Sequence, residues 1–147
     1  MTMHLIGVIA WMGGTWAAFL AGRAGPGASR ATLGFVVRQE AVIYRTLVGP
    51  GAMATVLSGL FLTLQMYGGA TSVGGVPRPV MLMQLTGLVG GLMALVAVLP
   101  TAMRVSRIDP AGEYAAAFDR LRANLHRWAV ASVVLGMIAL ITGAMGR

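Results

Sequence analysis

Four long runs without a charged side chain alternate with short segments that hold nearly every charge. The runs are Met1–Gly22, Thr46–Pro77, Pro79–Met103 and Trp128–Gly146. A helix needs about 20 apolar residues to cross a hydrocarbon core ~30 Å thick, and every run is long enough. In lipid, a helix is how a single span satisfies its own backbone. The pattern predicts an all-α integral membrane four-helix bundle in one domain, with spans near 3–22, 43–66, 80–103 and 126–145.

The connections differ in character. The first, Arg23–Glu40, holds Gly25-Pro26-Gly27 and then an amphipathic piece, Phe35-Val36-Val37-Arg38. It reads as a loop and then a helix that runs into the second span. The second, residues 68–79, carries four glycines and two prolines and predicts irregular, mobile chain. The third opens on Asp109-Pro110, a helix N-cap and first-turn pair. From there Tyr114, Phe118, Leu121, Leu125 and Trp128 recur at spacings of 4, 3, 4 and 3. One apolar stripe results, predicting an amphipathic helix over about 111–125 that leads into the fourth span.

Composition sharpens the picture. Hydrophobic residues make up 57% of the 147 and mean hydropathy is +0.79, which argues against a soluble domain. Without cysteine there is no disulfide, thiolate site or cysteine nucleophile. All 11 basic residues are Arg, which excludes a lysine Schiff base. The net charge of +7 would suit nucleic acid, but its arrangement does not. Nine arginines (23, 30, 38, 45, 104, 107, 120, 122 and 127) flank the first and third connections; only Arg78 and Arg147 lie on the other side. That bias places those two connections in the cytoplasm and both termini outside. Arginines there meet anionic headgroups, worth about 1 kcal/mol each near the surface. Met1-Thr2-Met3 carries no positive charge ahead of the first apolar run. The first span is therefore expected to be retained rather than cleaved as a signal peptide.

Small residues recur four apart: Gly14, Ala18 and Gly22; Gly51, Thr55 and Gly59; Gly87 and Gly91. Such rows let helix backbones approach closely, within the bundle or against a partner. Pro50 and Pro100 lie inside spans and release the carbonyls of Thr46 and Val96.

Ionisable side chains are few. His4 and His126 are the only imidazoles, and Glu40, Asp109, Glu113 and Asp119 the only acids, all on the arginine-rich side. No acid accompanies His4, so a Ser/His/Asp set is not expected. His4 starts the first span and His126 the fourth, at opposite faces, so one metal ion is not expected to bridge them. His4 is the candidate metal ligand. With Trp11 and Thr15 it falls at i, i+7 and i+11, one helical face, where an aromatic ring can flank a flat macrocycle. On this spacing alone, a contact with lipid headgroups is the preferred account of a histidine there. His126, beside Arg127 and four residues after Arg122, reads as part of a solvated cluster. Glu40 and Tyr44 share a face where the second span begins. Gln84 is the strongly polar side chain of the third span, in the same outer layer as His4 and able to face it.

The stretch His4-Leu-Ile-Gly-Val-Ile-Ala-Trp11-Met-Gly-Gly14 resembles the first helix of the HemJ-type protoporphyrinogen oxidases, small bacterial membrane proteins that bind haem b. The similarity continues through Glu40-x-x-x-Tyr44, Pro50, Thr55, Gly59 and Met83-Gln84-Leu85-Thr86. Small four-helix families akin to copper-resistance D proteins share the His-to-Trp opening. The resemblance implies haem b on His4, with Trp11 packed on the ring, Gln84 hydrogen-bonding a propionate or an iron-bound group, and Arg78 meeting a propionate. It also implies a quinone as electron acceptor and a role in haem synthesis or membrane redox chemistry. Three departures stand out. The family's lysine of the third helix is Gln84, which has no acid–base function. A later family histidine meets Leu95, and the family's Asn-Glu-x-Pro motif is replaced by Asn124-Leu125-His126-Arg127.

Two further functions fit the same residues. A non-catalytic subunit or assembly factor of a respiratory or photosynthetic complex, or a homo-oligomer, accounts for the small-residue rows and the 11 methionines. A transporter is disfavoured by the lack of acids within the spans. Whether the chain is an enzyme stays open. A bacterial inner membrane is the expected location.

Overall fold

The structure, a computed structural model, describes residues 1–23, 27–67 and 76–145. Most of the second connection, for which irregular chain is expected, lies outside these residues. The described chain forms four helices: α1 (Thr2–Ala21), α2 (Arg30–Tyr67), α3 (Arg78–Val105) and α4 (Gly112–Met145). All four are long and apolar enough to cross a membrane. Among the described residues there is no strand.

Close approaches at glycines fix an antiparallel, up-down-up-down register. A Cβ on Gly7 would meet Thr55, and one on Gly14 would meet Leu47 and Val48, so α1 and α2 run opposite ways. Gly91 against Val56 and Gly49 against Leu99 set α2 on α3. Gly87 against Ala139 and Gly143 against Met83 set α3 on α4. The rows of small residues are thus spent inside the bundle, where they bring helix backbones into close contact, the packing that holds helices together in lipid.

Trp11 occupies the middle of this arrangement and is 1% exposed. Its ring edge lies against Gly90, Gly91 and Gly136, where a Cβ would come within 3.2, 3.9 and 3.4 Å. Its backbone nitrogen lies 2.5 Å from where a Cβ on Gly51 would stand. The indole N–H donates to Ser132 Oγ at 3.2 Å, and that hydroxyl donates to the Gly90 carbonyl at 2.9 Å. One residue of α1 therefore touches α2, α3 and α4, and its polar atom is satisfied where water is absent.

Three helices contain one wide turn each: Ile9–Gly13 in α1, Tyr44–Val48 in α2 and Ala94–Val98 in α3. Two of these end just before a proline. The Gly49 N–H reaches back five residues to the Tyr44 carbonyl, and the Leu99 N–H to that of Ala94. A proline ring clashes with the carbonyl four residues earlier; widening the preceding turn relieves that clash and keeps the helix continuous. Pro50 and Pro100 are absorbed this way, without a break.

Two helices extend well past what a membrane needs. At 1.5 Å per residue the 38 residues of α2 span roughly 57 Å and the 34 of α4 roughly 51 Å. Ser29 caps α2, its hydroxyl accepting from the Thr32 N–H at 3.1 Å. Helix α4 starts at Gly112, within a residue of the expected 111, but Asp109 does not cap it. Asp109 Oδ1 accepts from the Ala111 N–H at 2.9 Å and makes a turn of its own. Pro110 is buried against Gly34, and Gly112, at φ +68°, redirects the chain into the helix. Helix α4 then runs unbroken through the predicted amphipathic stretch. Phe118 and Leu125 of its stripe are fully buried, while Tyr114 and Trp128 are exposed.

The glycine contacts give a paired expectation. Gly51→Ala forces backbone apart and should cost about 1–3 kcal/mol, as overpacking does. Gly13 has nothing within 4 Å of a Cβ, so Gly13→Ala should be neutral or mildly stabilising. Unfolding of both variants in mild detergent with increasing SDS measures the difference.

Candidate functional site

Polar side chains gather at the two ends of the bundle, with the Trp11–Ser132 pair between them. At one end His4 leans on α2. Its Nδ1 lies 3.1 Å from the Thr55 carbonyl and 3.1 Å from Ser58 Oγ. The ring rests on Gly59, where a Cβ would stand 3.1 Å from His4 Cε1. The glycine is what makes room for the imidazole. A carbonyl can only accept, so the Thr55 contact is a hydrogen bond when Nδ1 carries the proton, whereas the Ser58 hydroxyl serves either tautomer. In the Nδ1–H form Nε2 keeps its lone pair, as in a histidine that ligates a metal through Nε2 and is held by a hydrogen bond from its other nitrogen.

The remaining residues of the expected haem site are placed elsewhere. Trp11 does not share an open face with His4, because it is packed in the bundle centre. The wide turn Ile9–Gly13 begins between the two and turns the chain less per residue than an α-helix does. Gln84 is engaged on α2, where its amide donates to Thr63 Oγ1. Arg78 is the exposed first residue of α3. His4 is thus held by α2 through Nδ1, while Trp11 and Gln84 are committed to other protein partners.

The opposite, arginine-rich end holds a cluster the sequence does not announce. Glu40 is 1% exposed, although it lies only two turns before Val48 on a stripe with Val37, Ala41 and Tyr44. Its carboxylate packs onto Gly22, the last residue of the α1 small-residue row. His126 faces it, with Nε2 3.8 Å from Glu40 Oε1. Arg122, one turn earlier on α4, donates to the Gly22 carbonyl at 2.8 Å. Phe19 meets the His126 ring edge-on, centroids 6.0 Å apart, and Arg23 stands over Phe19 at 5.1 Å. Beside them opens a cavity of about 290 Å³ lined by Asp119, Arg122, Ala123 and His126. His126 therefore belongs to a buried acid as much as to a solvated cluster. An acid on an otherwise apolar stripe, at i+3 from Val37 and i−4 from Tyr44, was the available signal for this site.

Phe19 at 126 and His4 fifteen residues earlier on α1 set the distance between the two imidazoles at roughly 22 Å along the helix. The two ends are separate sites.

Beyond the cluster, Arg30 grips Asp119 with two bonds of 2.6 and 3.1 Å and ties the projecting parts of α2 and α4 together. That hydrogen bond holds the Asp119 carboxyl below its ordinary range, and the same bond raises Arg30. No family model, curated protein or solved structure matches the chain.

A depressed carboxyl stabilises the folded chain above the ordinary carboxylate range and ceases to do so as pH falls through its folded-state value. Asp119→Asn should therefore lower Tm at neutral pH, modestly because the pair is exposed. The gap from wild type should close in acid and in high salt, as thermal scans across pH and ionic strength will show.

Proposed function

We propose that this chain is a haem b-binding protein of a bacterial inner membrane, with His4 as axial ligand, working in haem synthesis or membrane redox chemistry. The observation that supports it is the contact of His4 Nδ1 with the Thr55 carbonyl, a hydrogen bond in the Nδ1–H form that leaves the Nε2 lone pair available to a metal. Thr55, Ser58 and Gly59 orient the ring; Arg78, on the same side of the bundle, meets a propionate. Haem b supplies one-electron chemistry when bound, and a quinone in the bilayer is the natural exchange partner. The arginine bias puts the His4 end and both termini outside, and the Glu40 end in the cytoplasm. Gln84 holds Thr63 and has no proton to exchange. The reading is therefore binding and electron transfer rather than porphyrinogen oxidation.

A second reading, a non-catalytic subunit of a larger membrane complex, draws on the exposed Phe35 and Tyr114 of the α2 and α4 extensions. The methionine content also supports it, whereas the small-residue rows are used within the bundle.

A visible spectrum of protein purified in mild detergent decides between them. The first reading expects a Soret band that His4→Ala abolishes and His126→Ala leaves in place. A colourless preparation with stoichiometric partner proteins favours the second. Loss of colour in His126→Ala alone would move the ligand to the other end. Gln84→Lys should gain no porphyrinogen oxidation.

A further inference from the structure

The buried carboxyl at the arginine-rich end has no role in haem ligation, and its surroundings are unusual for an acid. Both oxygens of Glu40 are buried without a hydrogen-bond partner, as are Nε2 of His126 and Nε of Arg122. An isolated buried carboxylate is costly unless it is paired or takes up a proton. The nearest cation-capable atom is His126 Nε2 at 3.8 Å, too far for a direct hydrogen bond. A small side-chain rotation or one bridging water spans that gap. His126 has a second property that decides its role: the same ring lines the 290 Å³ cavity and its side chain is 34% exposed. One imidazole thus touches solvent on one side and a sealed carboxyl on the other.

We propose that Glu40 is a proton-accepting site inside the bundle and that His126 carries protons to it from the adjacent cavity. In the forward step, a hydronium ion in the cavity gives a proton to Nδ1 of the neutral Nε2–H ring and is left as water. The Nε2 proton passes to Glu40 Oε1. One O–H bond breaks at the donor and one forms at Glu40, and one N–H bond forms and one breaks; the carboxylate becomes a carboxylic acid and the ring its other tautomer. Loss of the Nδ1 proton to water and uptake of one at Nε2 return the ring to its starting form.

The groups around the pair are consistent with a relay that runs through His126 alone. From α1 come Gly22, which is in van der Waals contact with the carboxyl, and Arg23, which stands over Phe19. From α4, Arg122 is committed to the Gly22 carbonyl, and Asp119 to Arg30. On α2 the next polar side chain inward is the buried Tyr44. Gly22 has a defined part here: a Cβ would stand 1.7 Å from Oε1, so only glycine lets the carboxyl occupy this place. The inference concerns the end of the bundle away from His4 and holds with or without haem.

Infrared spectra of the full chain in lipid nanodiscs test it. A protonated-carboxyl stretch that disappears in Glu40→Gln identifies the acid form of Glu40. On transfer to heavy water this band should exchange quickly in wild type and about tenfold or more slowly in His126→Leu, the scale of a lost positioned proton carrier. Absence of the band from mild acid to neutrality, or equal exchange in the two proteins, overturns the proposal. Should His126→Leu fail to fold by circular dichroism, His126→Gln takes its place.

Discussion

A tryptophan ring seated among glycines is the contact on which the bundle depends. Lipid removes the usual reward for burying apolar surface between helices, so association rests on close packing and on satisfied polar groups. Trp11 supplies both. Its ring fills the space left by Gly90, Gly91 and Gly136, and its N–H begins a chain of hydrogen bonds to Ser132 and the Gly90 carbonyl. Its backbone lies tight on Gly51. With all four helices keyed to one side chain, the layers above and below it are fixed in depth. His4 must then meet α2 at Thr55 and Ser58, and Glu40 must meet Gly22 and His126.

The two polar ends use glycine in the same way. Gly59 gives the His4 ring a flat seat, and Gly22 gives the Glu40 carboxyl one. Each glycine sits in a row that also packs helices, so a single spacing of four residues serves both adhesion and chemistry. The wide turns before Pro50 and Pro100 work alongside these rows. They keep α2 and α3 continuous across positions where a proline would otherwise interrupt the backbone ladder. Bundle shape and polar sites are consequently built from the same few residues.

The number and extent of the helices are legible in the sequence because they follow from local facts: charge-free runs and the length needed to cross lipid. The inward use of the small-residue rows is half legible; spacing shows the rows, but only the register shows what they face. Site geometry is less legible for a specific reason. The face shared by His4 and Trp11 at i and i+7 assumes uniform winding, and the wide turn Ile9–Gly13 breaks that assumption. The meeting of Glu40 and His126 joins residues far apart in sequence, and each looks ordinary alone beside neighbouring arginines. Gln84 and His4 do share an end of the bundle, yet each is captured by a different hydroxyl-bearing turn of α2. Asp109 shows the same limit at short range: its side chain favours a turn with Ala111 over capping the helix.

Helices α2 and α4 outreach a hydrocarbon core of ~30 Å by a wide margin, and Arg30 with Asp119 binds their projecting ends into one stem. In a bilayer that thins or thickens, spanning helices change tilt to match it, and the outer ends of the two longest helices would sweep a wider arc than their embedded portions, carrying Arg30 and Asp119 with them.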